Sequence, residues 1–237
     1  MIKTVLFDKD GTLFDFRATW SGFAKALLED LSSGDPLKAA AMSNDLDYNL
    51  ETGEFFPGSV LVSGTPGDIA SCLLPHLPGT SPAGLIARMN VLAANVPQCE
   101  VTPLQPLLES LRDRGLTLGV ITNDAMAPTR AHLRAVGVSH LFERIISCDC
   151  GFGQKPSPGQ IHAFLEMTGA MPSETVMVGD APSDLIAARA AGCISVGVLT
   201  GHATATQLAP HADKVLADVS ELPELLDSWQ EARTHAA

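Results

Sequence analysis

Asp8 and Asp10 stand two apart in Val5-Leu6-Phe7-Asp8-Lys9-Asp10-Gly11-Thr12-Leu13, directly after an apolar run. Two carboxylates this close repel each other unless a cation or a proton lies between them. The pair therefore asks for a metal ion. It also puts a nucleophile and an acid/base on one loop, facing a substrate that a carboxylate can attack. Three more polar clusters follow apolar runs: Thr122-Asn123 after Leu118-Gly119-Val120-Ile121, and Gly179-Asp180-Ala181-Pro182-Ser183-Asp184 after Val176-Met177-Val178, with Lys155 between them in Gln154-Lys155-Pro156-Ser157-Pro158. Each alone has an ordinary explanation as a turn, a helix cap or a solvated lysine. Four in order, each placed where a strand should end, are a constellation.

The elements that must carry these residues are readable from periodicity. The first strand spans Thr4–Phe7, continuous in apolar residues as for a strand buried on both faces. From about residue 17 to 95 the pattern is helical, with Trp20, Phe23, Ala24, Leu27, Leu28 and Leu31 at helical spacing. Further helices are expected over 38–50, 67–74 and 82–94, with a loop over 52–65 that holds a short hairpin at 59–62. From Pro103 onward helices and strands alternate: helices over 104–114, 127–136, 160–167, 183–191 and 205–208 and from Glu221, and strands over 117–121, 144–146, 175–178, 194–198 and 214–216. Glycines 115, 137, 169 and 192 follow four of the helices, where a C′ residue adopts the left-handed conformation. Such alternation implies an α/β fold, a three-layer Rossmann-like core with a mostly parallel sheet. The first strand belongs with the later sheet, so the expected core is 1–15 plus 101–237. Residues 16–100 form an inserted α-helical domain, and the last six residues are expected to fray.

Composition narrows the partners. The chain has 237 residues and a formal charge of −12, with a pI near 4.8. So acidic a surface argues against nucleic acid or an anionic membrane as the main partner. No run of eighteen apolar residues occurs, and the first residues lead straight into a strand pattern rather than a signal peptide. The five cysteines are odd in number and scattered, as expected of free thiols in a reducing cytoplasm. Cys148-Asp149-Cys150 has no second pair at metal spacing, and the seven histidines form no ligand pattern.

The four clusters together resemble those of the haloacid dehalogenase superfamily, over roughly 3–13 and 103–222. The tail Val196-Gly197-Val198-Leu199-Thr200-Gly201-His202-Ala203 is most similar to the phosphoglycolate phosphatase-like branch, and the helical insert resembles that family's α-helical cap. The resemblance implies a phosphatase for a small phosphorylated metabolite, with phosphoglycolate the first substrate it suggests, working as a monomer or homodimer. Asp8 is then the nucleophile that forms a phospho-aspartate, and Asp10 the acid/base. Asp8, the backbone carbonyl of Asp10, and Asp180 hold Mg2+. Gly11, Thr12, Thr122, Asn123 and Lys155 surround the phosphoryl group, with Thr122 and Lys155 also assisting catalysis. Asp184, one helical turn after Asp180, binds a metal water or orients Lys155. Four carboxylates set against one lysine suit a hard cation with oxygen ligands.

Three rivals share these clusters. A β-phosphoglucomutase-type phosphomutase differs only in what it does with a phosphosugar. A phosphonate hydrolase needs a cap lysine, for which Lys25 and Lys38 are the candidates. A non-catalytic regulatory protein on the same fold usually loses an acid or the lysine, and here all are present. Dehalogenases of the superfamily lack the second acid, present here as Asp10. Lys9, between the two acids, should point away from them by strand alternation and serve as a structural or cap contact. Arg17, Phe55, Phe56 and Arg88 are the candidates for the cap side of the site.

Overall fold

A computed structural model describes residues 1–235, with side chains described as far as Glu231. Of the six residues expected to fray, Ala236 and Ala237 therefore lie outside the described residues. Six parallel strands form one sheet: β1 (Thr4–Phe7), β2 (Thr117–Ile121), β3 (Arg144–Ile146), β4 (Thr175–Gly179), β5 (Ile194–Val198) and β6 (Lys214–Leu216), in the order β3-β2-β1-β4-β5-β6. The order reverses at β1, whose neighbours are β2 and β4 in register, with Phe7 opposite Val120 on one side and Val178 on the other. That reversal opens a crevice at the carboxyl ends of β1 and β4, the place where open α/β sheets bind ligands.

Helices cover both faces of the sheet: α6 (Leu104–Asp113), α7 (Met126–Ala135), α8 (Gly159–Thr168), α9 (Pro182–Ala190), α10 (Ala205–Leu208) and α11 (Leu222–His235). Val5, Phe7, Val120, Val178 and Val198 pack on one face with Leu104, Leu108, Leu111, Leu222 and Leu225. Leu6, Ile121 and Met177 pack on the other with Phe164 and the alanines of α9. Alternate residues of β1, β2 and β4 feed opposite clusters, so these central strands read as nearly unbroken apolar runs.

Between β1 and α6 lie five helices: α1 (Phe16–Ser32), α2 (Pro36–Asp45), α3 (Val60–Ser63), α4 (Pro66–Leu73) and α5 (Pro82–Ala94). They share a cluster of their own around Phe23, Leu27, Leu28, Met42, Leu73 and Leu85. Asp15 starts α1 by accepting from the Ala18 amide at 2.8 Å, the usual way a side chain satisfies an open helix end. Two expectations fail here. Residues 59–62 form no hairpin; Ser59 accepts from the Leu61 amide and opens the one-turn helix α3. And α2 stops at Asp45 rather than Leu50, because Asp47 takes a positive φ of 49° and Ser43 closes on Tyr48 through paired hydrogen bonds. The five cysteines form no disulfide. Among the described residues, no helix is long and apolar enough to cross a membrane.

Candidate active site

β1 delivers Asp8, β2 delivers Thr122 and Asn123, and β4 delivers Asp180, all at the crevice where the strand order reverses. Lys155 comes from the loop between β3 and α8. Its fully buried ammonium donates to Asp8 Oδ1 at 2.6 Å and to the Ile121 carbonyl at 3.0 Å, and lies 2.6 Å from Asp184 Oδ1. Three acceptors for three protons leave the ammonium saturated. Burial works against its charge, but Asp184 and Asp8 outweigh burial and hold its pKa above the usual lysine value.

Asn123 sets the posture of that loop. Its carbonyl accepts from the Lys155 amide at 2.9 Å, and its NH2 donates to the Lys155 carbonyl at 3.0 Å. The same NH2 donates to the Ser63 carbonyl of the helical insert at 3.2 Å. The Asn123 side chain is thus spent on positioning protein, and any anion there meets backbone amides. Thr122 accepts from the Asp124 amide at 3.0 Å, and its own carbonyl receives a bond from the buried Gln160 amide.

Asp8, Asp180 and Asp184 each offer an oxygen, and the three lie within 4.8 Å of one another. The electrostatics show what this set is suited to hold. Burial pushes Asp8 up to about 7, with Asp184 adding to the push and Lys155 only partly offsetting it. Burial and the neighbouring Asp184 and Asp8 raise Asp180 well above the usual carboxylate range. Buried, mutually repelling, oxygen-only donors are the chemistry of a hard divalent cation such as Mg2+. Gly11 and Gly201 crowd the same carboxylate: Gly11 sits at φ 80°, and a Cβ on either glycine would overlap Asp180. Thr200 donates to the Gly11 carbonyl at 2.6 Å, tying the β5 loop to the β1 loop.

The side chain of Asp10 stands apart from the triad, as is compatible with a role for its backbone carbonyl alone at a metal; its oxygens lie 2.6 and 2.7 Å from Lys9 Nζ. Three sequence expectations need correction. Lys9 does not point away from the acids. Its stem folds back so that the fully buried ammonium also meets Asp124 at 3.2 Å and His132 Nδ1 at 3.1 Å, and it lies 5.3 Å from the centre of the Trp20 ring. The ring contact is with the helical insert. Thr12 is fully buried and donates to Asp180 Oδ1 at 3.4 Å, so it faces the carboxylate set rather than a phosphoryl group. And Arg17, Phe55, Phe56 and Arg88 are absent from the cavity lining: Arg88 pairs with Asp30 at 2.6 Å, and Phe55 packs edge-to-face on Phe16 and at a tilt against Tyr48.

The cavity of about 70 Å³ lies between the sheet and the insert. Asp8, Asp10, Asp124, Asp180, Asp184, Thr122, Asn123 and Lys155 line its floor. Its roof is Phe16, Trp20, Phe23, Leu61, Ile69, Met89 and Ala93, with Asn90, Ser63 and Gly64. His132, which the sequence reading left unassigned, links floor to roof. Because Lys9 can only donate, His132 Nδ1 must accept, and Nε2–H donates to the Ala93 carbonyl at 2.8 Å. Burial, with help from Lys9, lowers its pKa to about 4, which keeps the ring neutral.

The model of the haloacid dehalogenase-like hydrolase family matches residues 2–192, most of the chain and all four clusters. The chain belongs to that family. Among curated proteins, the chain is similar to the phosphoglycolate phosphatase of Neisseria meningitidis, 30% identical over 97% of this chain and 94% of that one. That of Rhodospirillum rubrum is 30% identical over 81% and 77%. Among solved structures, CbbY from Rhodobacter sphaeroides in complex with phosphate superposes with a TM-score of 0.71 at 21% identity, covering 94% of this chain and 96% of that one. A phosphatase from Thermococcus onnurineus gives 0.67 at 24% identity, covering 95% and 98%. At these identities the solved structures establish the fold.

Proposed function

We propose that this chain is a magnesium-dependent phosphomonoester phosphatase that works through a phosphorylated Asp8, with residues 16–100 acting as a cap over the core of 1–15 and 101–237. One observation carries the reading: Lys155 Nζ lies 2.6 Å from both Asp8 and Asp184, on the floor of a cavity where Asp8, Asp180 and Asp184 converge. A free-standing binding protein has no need of a nucleophile held this way. The relatives' names make 2-phosphoglycolate the first compound to assay.

Asp8, the backbone carbonyl of Asp10 and Asp180 would hold the ion, with Asp184 beside them holding Lys155 at 2.6 Å; the ion would supply charge neutralisation for the phosphoryl oxygens and for the carboxylates themselves. The residues then divide the work. Asp8 attacks phosphorus, and the bond from phosphorus to the ester oxygen breaks. Asp10 gives that oxygen its proton, which requires its side chain to rotate off Lys9. Water attacks the aspartyl phosphate next, Asp10 takes the water's proton, and the bond between Asp8 and phosphorus breaks to release phosphate. Lys155 offsets charge on the phosphoryl oxygens, and the amides around Asn123 orient them. The insert excludes bulk water while the phosphorylated Asp8 persists.

Assay of p-nitrophenyl phosphate with and without Mg2+, for wild type and Asp8→Asn, tests the reading. Magnesium-dependent turnover that vanishes in Asp8→Asn is expected. Retained turnover in that variant would rule out the covalent route.

A further inference from the structure

We propose that this site selects phosphomonoesters of short, uncharged alcohols that carry a hydrogen-bond acceptor, and that it discriminates against leaving groups bearing a carboxylate or a second phosphate. The proposal rests on the phosphatase reading above and concerns what the roof of the cavity will accept.

Every cation of the insert can be accounted for. Residues 16–100 contain Arg17, Lys25, Lys38 and Arg88. Lys25 lies 4.0 Å from Glu29, Lys38 donates to the Leu31 carbonyl at 3.0 Å, and Arg88 pairs with Asp30. Arg17 is exposed, and none of the four lines the cavity. On the floor, the only lining cation is Lys155, already saturated by Asp8, Asp184 and Ile121. Lys9, behind the floor, is held by Asp10 and Asp124.

An anionic leaving group would therefore be buried against five carboxylates and an apolar roof, with no charge to meet it. Burial of an unpaired ion is strongly unfavourable. The phosphoryl group escapes this penalty because the floor, with its metal, is built for it. A second anion would have no such site, which also counts against a bisphosphate intermediate of the phosphomutase kind.

Size and polarity define the accepted group. A dry cavity of about 150 Å³ takes up a benzene molecule; the space here is about 70 Å³ and opens toward solvent on one side. A phosphoryl group and a short leaving group suit it. Phe16, Phe23, Leu61, Ile69 and Met89 offer apolar contact. Trp20 adds one polar point: it lines the cavity, is nine-tenths buried, and its indole N–H has no acceptor among the described residues. A buried donor left unpaired is costly, and a ligand that brings the acceptor removes that cost.

Three esters of similar size separate the possibilities when assayed with the magnesium-loaded enzyme: 2-phosphoglycolate, its neutral amide 2-phosphoglycolamide, and propyl phosphate. The amide is expected to exceed phosphoglycolate at least tenfold in kcat/KM. Trp20→Phe keeps a ring and removes the N–H, and should narrow the ratio of amide to propyl ester at least threefold, through KM. Phosphoglycolate equal to or better than its amide would overturn the proposal and leave the phosphatase reading standing. An unchanged ratio in Trp20→Phe would overturn the indole contact. Failure of all three esters and of p-nitrophenyl phosphate would remove the phosphatase reading itself, and this proposal with it.

Discussion

Five carboxylates line the cavity from the sheet side and none from the helical insert. The floor is built from loops that follow four adjacent strands, β3, β2, β1 and β4, and its side chains are locked by short ion pairs and backbone bonds. The roof is built from helix faces whose neighbours are mostly other apolar side chains. The contrast teaches that chemistry and selection are separate problems here. A floor that stabilises transferred charge must be rigid and polar. A roof that chooses among leaving groups can do so with shape and the absence of charge, because an ion that loses its water and finds no counter-charge is disfavoured without a dedicated repulsive group.

The contrast is broken most severely at the floor. Asp8→Asn is expected to lower kcat for p-nitrophenyl phosphate by about 10³-fold or more, since a covalent route loses its nucleophile; steady-state kinetics read this directly. Lys155→Met leaves Asp8 and Asp184 buried without their counter-charge. Urea unfolding in the absence of metal should show a loss of about 3–5 kcal/mol.

The seam between floor and roof has its own signature. His132 is buried neutral, with its pKa lowered to about 4 from a usual 6.5. The unfolded chain therefore takes up a proton first, so this contribution is complete above pH 6.5 and is lost as pH falls from there toward 4. The loss approaches about 3 kcal/mol. Asp8, raised to about 7, works in the opposite direction, gaining stability as pH falls below 7. The difference in unfolding free energy between wild type and His132→Asn, measured from pH 8 to 4, isolates the histidine; a flat difference would remove the buried neutral ring from the account.

Metal binding sharpens the same comparison. At a hundredfold excess over Kd, Mg2+ should stabilise the protein by about 2.7 kcal/mol, a rise in Tm of about 5–10 °C at this chain length. The rise should shrink at pH 5.5, where protons compete for Asp8 and Asp180. The smallest expected effect is at the roof. Ser63 is exposed at the cavity rim, and Ser63→Lys should raise kcat/KM for 2-phosphoglycolate about tenfold, about 1.4 kcal/mol, while changing propyl phosphate little.

How much of this was readable before any coordinates differs between the two regions. The strands were read closely because burial on both faces writes itself as unbroken apolar runs; β2, β3, β5 and β6 begin and end where periodicity places them. Asp8, Lys155, Asp180 and Asp184 are found together, since each follows a strand and strand ends converge. What escaped was set by side-chain reach and by packing between distant segments. Strand alternation fixes the direction of the Lys9 Cβ, yet a four-carbon stem lets the ammonium return to Asp10. Gly201 and Thr200 stood inside a stretch already singled out, but only the fold brings them against Asp180 and Gly11. The roof was least accessible. Which face of α1 or α5 meets the cavity depends on how the insert settles on the sheet, and helical spacing alone shows only that Trp20, Phe23 and Met89 are apolar. The T-x-x-D capping box of Thr65 and Asp68 starts α4 one residue before the position that apolar spacing gives, a local signal that spacing does not carry.

The amide of Asn123 holds the Lys155 backbone on one side and the Ser63 carbonyl on the other. On the proposed reading of residues 16–100 as a cap, lifting α3 would break one contact of this three-bond clamp and leave the other two to steady the loop alone. Admission and readiness would then be mechanically linked through a single side chain.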